Sequence, residues 1–201
     1  EYDIDGYVIS PYKVFSRHGY GIAWISPRLA KLPHNQIIGS PEEQWELGTR
    51  DTASYATFSE VVNYFSWLGK FYSNSANLRE RLLAAGKAVM EHEKDLTKQM
   101  IYGFDGITGL ADMKKVTIIG GNDNQSRKGL VSLWVDGTDS IDVVDYLRDN
   151  GIRVHVRKDD NFSGNILVPL GQKNCVRVSM CHYNTTEEVV KFLKIMKKIT
   201  S

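Results

Sequence analysis

A chain of 201 residues has room for one ordinary domain or two small ones. Its 25 basic and 24 acidic residues leave a formal charge of +1, which argues against nucleic acid or an acidic surface as the main partner, since either needs clustered positive charge. Two cysteines, Cys175 and Cys181, lie too sparsely for a disulfide scaffold and lack CxxC spacing, and no apolar run reaches the length of a bilayer span. A reducing, cytoplasmic location without membrane attachment is the expectation, and no metal site is predicted.

Residues Glu1 to Asp5 lead almost directly into Tyr7-Val8-Ile9, which reads as a short buried strand. The chain is therefore expected to begin inside a fold, as a cleaved protein, a fragment or half of a split protein would. Ser10-Pro11-Tyr12-Lys13-Val14-Phe15-Ser16-Arg17-His18-Gly19-Tyr20-Gly21 follows, with Gly19 and Gly21 allowing tight backbone before the next strand, Ile22-Ala23-Trp24-Ile25. Lys13 thus stands where a strand runs out into a loop, the place at which open α/β sheets bind ligands. An amine desolvated there loses its proton more readily and can attack a carbonyl. Spacing alone leaves a solvated surface lysine and an imine-forming lysine both open.

Ser26 to Arg50 is a long polar connection without a sustained period, of the kind that forms functional loops or interfaces. Thr52 or Ser54 can cap the next helix, in which Phe58, Val61, Val62, Phe65 and Leu68 recur at helical spacing up to Gly69. A second helix is predicted from about Asn77 into the nineties, with Leu78, Leu82, Leu83, Val89 and Met90 as its core stripe. Tyr102 to Gly109 reads as a glycine-punctuated hinge.

Beyond it the pattern changes. Strands are predicted at 116–119, 130–135, 152–156 and 175–179. A helix capped by Asp139 runs through Leu147 and stops at Asn150-Gly151, and a capping box of Thr185 with Glu188 starts a terminal helix. The lysines between Lys191 and Lys198 belong on that helix's wet face rather than to a membrane or RNA patch. The fold class expected is a fragment of a large α/β domain over residues 1–100, followed over 101–201 by a small α+β domain with helices packed on a mainly antiparallel sheet.

The stretch from Tyr7 to Gly21 resembles the cofactor-lysine segment of the class V aminotransferase and cysteine desulfurase family, the fold-type I pyridoxal-phosphate enzymes, and most resembles the branch described as cysteine desulfurase-like or selenocysteine lyase-like. The likeness continues through Trp45-Glu46-Leu47-Gly48-Thr49, Tyr64-Phe65-Ser66-Trp67-Leu68-Gly69, Gly106-Ile107-Thr108-Gly109-Leu110, Asn150-Gly151-Ile152 and Val176-Arg177-Val178-Ser179, and closes with His182-Tyr183-Asn184-Thr185-Thr186-Glu187-Glu188. The resemblance implies that Lys13 would hold pyridoxal 5'-phosphate as an imine. Ser10 would lie near the phosphate or orient the lysine, and Gly48-Thr49 would donate to the phosphate of a neighbouring subunit. Arg177 would clamp the substrate α-carboxylate, and Arg157 would help bind a side-chain group. His18 is open between a turn role and a cofactor contact.

Two departures from the family pattern matter. The residues that the family places upstream of its lysine segment are absent from this sequence, so a homodimer or a companion chain would have to supply them. The loop from Arg157 to Gly164 has no cysteine of the kind that attacks substrate sulfur, so persulfide chemistry is not expected, and Cys175 and Cys181 read as packed thiols. The expectation is a pyridoxal-phosphate-dependent transferase or lyase acting on a small α-amino acid, incomplete in this chain alone. The alternative is a catalytically inactive interaction or regulatory protein that keeps the small domain and the dimer-forming loop.

Overall fold

A computed structural model describes residues 3–201; the lead-in expected of Glu1 and Tyr2 lies outside the described residues. The chain divides into two compact units, the first ending at Gly86 and the second running Lys87–Ser201.

In the first unit, β1 (Gly6–Ile9) and β2 (Ile22–Ile25) pair antiparallel with Tyr7 opposite Trp24 and Val8 opposite Ala23. The strands stand where the pattern places them, but they are not buried: Val8 is 76% and Tyr7 61% exposed. A ribbon of two strands has no flanking strand and no second layer to cover both faces, whatever its side chains prefer. The polar connection after β2 is not wholly irregular. It opens with one turn of helix, α1 (Pro27–Ala30), whose cap Ser26 accepts from the Leu29 amide at 3.0 Å and donates to Asp5 at 2.8 Å. Arg28 grips the same Asp5 carboxylate with two hydrogen bonds of 2.7 Å.

α2 (Thr52–Gly69) is capped by Asp51, not by Thr52 or Ser54. The Asp51 carboxylate accepts from the Ser54 amide at 3.2 Å and from its hydroxyl at 2.6 Å, so an anion sits at the positive end of the helix. Of its predicted core positions only Val61 is fully buried; Phe58, Val62, Phe65 and Leu68 are half-buried. Gly69 ends the helix for a reason other than a left-handed cap. A Cβ there would stand 2.1 Å from the Arg81 carbonyl oxygen, so the missing side chain is what lets α2 meet the next helix.

That helix, α3 (Leu78–Tyr102), starts where Asn77 accepts from the Arg79 and Glu80 amides at 2.9 and 3.3 Å, and it runs through the boundary between the units. Its predicted stripe is corrected. Leu78, Leu83 and Met90 are exposed and Leu82 and Val89 half-buried, whereas Ala85, Leu96, Met100 and Ile101 are buried. Leu96, Met100 and Ile101 gain their burial by joining the core of the second unit, so the apolar face is set by available partners rather than by which leucines recur.

The expected hinge at 102–109 is a locked hairpin. β3 (Gly103–Phe104) and β4 (Ile107–Thr108) pair across Asp105 and Gly106, both left-handed at φ 47° and 77°, as a two-residue primed turn requires. Gly103, at φ 86°, would place a Cβ 2.1 Å from the Ile107 carbonyl oxygen.

The rest of the second unit is a four-stranded antiparallel sheet of β5 (Val116–Ile118), β6 (Leu130–Val135), β7 (His155–Lys158) and β8 (Asn174–Ser179), in the order β5-β6-β8-β7. β7 begins later than the pattern suggests, because Ile152 is still bound to the end of the preceding helix, its amide donating to the Leu147 carbonyl at 2.9 Å. α4 (Ser140–Asp149) is capped by Asp139, and α6 (Thr186–Thr200) opens with the expected Thr185–Glu188 capping box. A short α5 (Gly164–Leu167), not foreseen, lies between β7 and β8. One face of the sheet, with Val131, Leu133, Val176 and Val178, is buried with Val143, Leu147, Phe192, Leu193 and Met196 of α4 and α6. The lysines of α6 are exposed, as expected.

Glu93 of α3 is a half-buried carboxyl whose pKa burial raises, while His182 and His92 oppose the shift. A raised folded-state pKa adds stability below the unfolded value, about 4.3, and that stability is lost as pH rises through the folded value. Glu93→Gln is therefore expected to raise Tm at pH 7 by about 1–3 °C and to give no gain below about pH 4, as read by thermal unfolding at both pH values.

Candidate active site

Lys13 sits in a single 3₁₀ turn, Pro11–Val14, directly after β1. Pro11 presets the backbone, the Lys13 amide donates to the Ser10 carbonyl at 3.0 Å, and the turn ends on Phe15 at φ 74°, a left-handed conformation rare for an aromatic residue. Such backbone persists only where the surroundings hold it. Here they do. Ser16 Oγ lies 2.8 Å from Thr57 Oγ1 and 2.5 Å from the Tyr20 hydroxyl, and Thr57 donates to the Ser54 carbonyl at 2.7 Å. Arg17 pairs with Asp51, the α2 cap, at 3.1 Å. The lysine loop is thereby tied to the first turns of α2.

Ser10 and Lys13 are both exposed. The Lys13 ammonium has no carboxylate partner among the described residues and lies 5.9 Å from the centre of the Tyr12 ring. His18 packs its ring against Tyr12 with centroids 4.8 Å apart. Gly48 and Thr49 lie in the segment that enters α2, and with Tyr20, Asp51, Ser54 and Tyr55 they line a concavity of about 250 Å³. The lysine turn and the Gly48-Thr49 segment thus converge on one scaffold, the start of α2. Sequence reasoning missed Ser16, Tyr20 and Thr57, because their shared hydroxyl cluster exists only once the loop has met the helix; the Arg17–Asp51 pair had no signal beyond its opposite charges.

In the second unit, Arg177 of β8 is flanked by Ser132 of β6 and His155 of β7. It is half-buried, and its Nε–H is closed off from solvent without an acceptor among the described residues. Arg157 of β7 donates from Nε and Nη2 to Ser163 Oγ at 3.1 and 3.0 Å and stands 4.0 Å from Asp160. Both cysteines are free thiols. Burial pushes the Cys175 thiol pKa up, against a smaller downward pull from Arg157, Ser132 and Arg177. Cys175 is buried and Cys181 half-buried, so iodoacetamide at pH 8 is expected to alkylate Cys181 at least about tenfold faster, as read by peptide mass spectrometry. Equal rates would show that the sheet opens around Cys175.

The aminotransferase class-V family profile matches residues 1–192. This chain belongs to the class V aminotransferase family. The class V chain is 23% identical over 215 aligned residues to a probable cysteine desulfurase of Borreliella burgdorferi, across 97% of its own length and 45% of that protein's. It is 27% identical over 208 residues to an aminotransferase-like protein of Gibberella zeae, across 99% of its own length and 47% of that protein's. It spans about half the length of the curated relatives it matches. Among solved structures it resembles the apo cysteine desulfurase of Thermococcus onnurineus, with a TM-score of 0.73, 21% identity, and coverage of 98% of this chain and 47% of that one. It also resembles the cysteine desulfurase CsdA of Escherichia coli, with a TM-score of 0.68, 17% identity, and coverage of 98% and 46%. These likenesses establish a shared fold. Another neighbour, with a TM-score of 0.60, 15% identity, and coverage of 97% and 46%, is a C-DES mutant with glycine covalently linked to its PLP cofactor. No helix of this class V chain, among the described residues, is long and apolar enough to cross a membrane.

Proposed function

We propose that this chain carries the cofactor lysine and the substrate clamp of a pyridoxal-phosphate enzyme acting on a small α-amino acid. In this reading residues 1–100 belong to a large cofactor-binding domain, 101–201 form the small domain, and a second subunit contributes to the cofactor site. One observation carries it: the Lys13 amine lacks an ionic partner among the described residues, yet its turn is held by hydrogen bonds and an ion pair to α2. A lysine needed only for solubility gains nothing from such a mount.

The residues present fit the cofactor. Lys13 offers an exposed amine for its aldehyde. Space is open over Gly48, where a Cβ would meet nothing within 4 Å, and the Gly48 and Thr49 amides with the Thr49 hydroxyl would donate to the phosphate of a neighbouring subunit's cofactor. When bound, the cofactor would act as an electron sink for negative charge at the substrate Cα. The protein's own part is then to hold and move protons and to orient the substrate. Lys13 Nζ, once neutral, would take the proton from Cα and return it. Arg177 would hold the α-carboxylate with its planar fork, giving its buried Nε–H the acceptor it lacks. Ser10 would steady the start of the lysine turn.

Persulfide formation is not part of the proposal. The 159–163 segment has no cysteine, and Cys175 is buried with its pKa raised. Lyase, aminotransferase, epimerase and β-elimination chemistries all use the same Cα proton transfer.

Borohydride reduction of the full-length protein incubated with pyridoxal phosphate tests the reading. The expected result is loss of the near-visible absorbance band, with the reduced cofactor's mass fixed on Lys13. An unmodified Lys13 would instead favour the non-catalytic interaction protein.

A further inference from the structure

We propose that the substrate carries a second negative charge, on its side chain, and that Arg157 and His155 receive it beside the Arg177 clamp. This rests on the role given to Arg177 above.

The argument starts from strand register. His155 and Ser132 lie directly opposite Arg177, and Arg157 lies directly opposite Cys175. Cys175 and Arg177 are two apart on β8 and so share one face of the sheet. Ser132, His155 and Arg157 join them there, while Val131, Leu133, Val176 and Val178 occupy the face packed into the core. Residues directly opposite have Cβ atoms about 5 Å apart, and diagonal neighbours about 7–8 Å. Arg157 and Arg177 therefore flank the same sulfur from two strands, and both lower the Cys175 pKa against the larger effect of burial.

Little on this face answers the positive charge. No strand of the sheet contains Asp or Glu. Arg157 spends two donors on the neutral Ser163 hydroxyl, and its ion pair with Asp160 is stretched to 4.0 Å, too long for a hydrogen bond. Arg177 has no ion pair among the described residues and keeps a buried N–H without an acceptor. An α-carboxylate can satisfy one guanidinium but not both. The second guanidinium, with His155 opposite Arg177 in the register, suits a carboxylate, sulfonate or phosphate on the substrate side chain. Alanine and cysteine leave it unanswered.

The test is calorimetric titration of the cofactor-loaded full-length protein with L-alanine, L-aspartate, L-glutamate, L-cysteate and O-phospho-L-serine. At least one of the four anionic amino acids is expected to bind at least about tenfold more tightly than alanine, the value of one added charge-assisted hydrogen bond. Which one wins separates a carboxylate from a sulfonate or a phosphate. In Arg157→Gln the ratio of that ligand's affinity to alanine's is expected to fall at least about tenfold, whereas Arg157→Lys, which keeps the charge, retains most of it. Alanine binding as tightly as all four overturns the inference. So does an Arg157→Gln variant that weakens every ligand equally, as a mere clip to Ser163 would. Borohydride labelling of Lys13 on the same preparation keeps the two questions apart: a labelled lysine without anion preference refutes the second charge alone, and an unlabelled lysine refutes the enzyme.

Discussion

Lys13→Ala in the full-length, cofactor-supplied protein is expected to lower turnover of any accepted amino acid by at least about 10³-fold and to abolish the borohydride-stable adduct. Lys13→Arg is expected to do the same, because a guanidinium stays protonated and can neither condense with an aldehyde nor accept a proton. The loss should appear in turnover far more than in substrate affinity, since the proposed Arg177 clamp on the α-carboxylate is left in place. Thr57→Ala provides the comparison. It removes the hydroxyl that Ser16 meets at 2.8 Å and loosens the mount of the lysine without touching the amine. A partial loss of turnover with the adduct still on Lys13 is expected, read by single-turnover kinetics and peptide mass. Full turnover in Lys13→Ala would remove the basis of the proposed function.

Gly69→Ala is expected to destabilise the first unit by about 1–3 kcal/mol or more, read as a lowered midpoint in urea with helix content followed by circular dichroism. Helix propensity alone predicts the opposite sign, a gain of up to about 1 kcal/mol for replacing glycine in a helix. Geometry decides between the two. The new methyl would stand 2.1, 2.6 and 2.9 Å from the carbonyl oxygen, carbonyl carbon and Cα of Arg81, all main-chain atoms that cannot swing aside. α2 and α3 would have to move apart where Gly69 meets Arg81. Gly86→Ala serves as the control, since a Cβ on that exposed α3 residue meets nothing within 4 Å. It is expected to stabilise by about 0.5–1 kcal/mol. The two substitutions are chemically identical and should shift the midpoint in opposite directions.

Several local signals in the chain were accurate where a short-range bond enforces them. The Thr185–Glu188 box, the Asp139 cap and the stop at Asn150-Gly151 are visible in the residues because each is closed by atoms a few positions apart. Strand positions 130–135 and 175–179 were equally legible from β-branched alternation. The Asp51 cap was missed in favour of Thr52 or Ser54, since three capping residues crowd four positions and only the register of the finished helix chooses among them. The apolar stripe of α3 was misread for a related reason. Leucine content marks a helix face only when something stands ready to cover it, and the second unit's core covers Leu96, Met100 and Ile101 while Leu78 and Leu83 stay exposed.

For the candidate site, strand-to-loop placement raised Lys13 alone and left it open, and the resemblance to the class V aminotransferase family is what implied roles for Lys13, Ser10, Gly48, Thr49, Arg157 and Arg177. Their mounting was not legible. The hydroxyl cluster of Ser16, Tyr20 and Thr57, the close approach of Gly69 to Arg81, and the shared sheet face of Arg157, Cys175 and Arg177 each join residues far apart in the chain. Side-chain chemistry is a property of the residue and can be read from a string of letters. Distance, burial and missing acceptors belong to pairs that meet only when the chain has folded, and those decided which of the chemically able groups stand together.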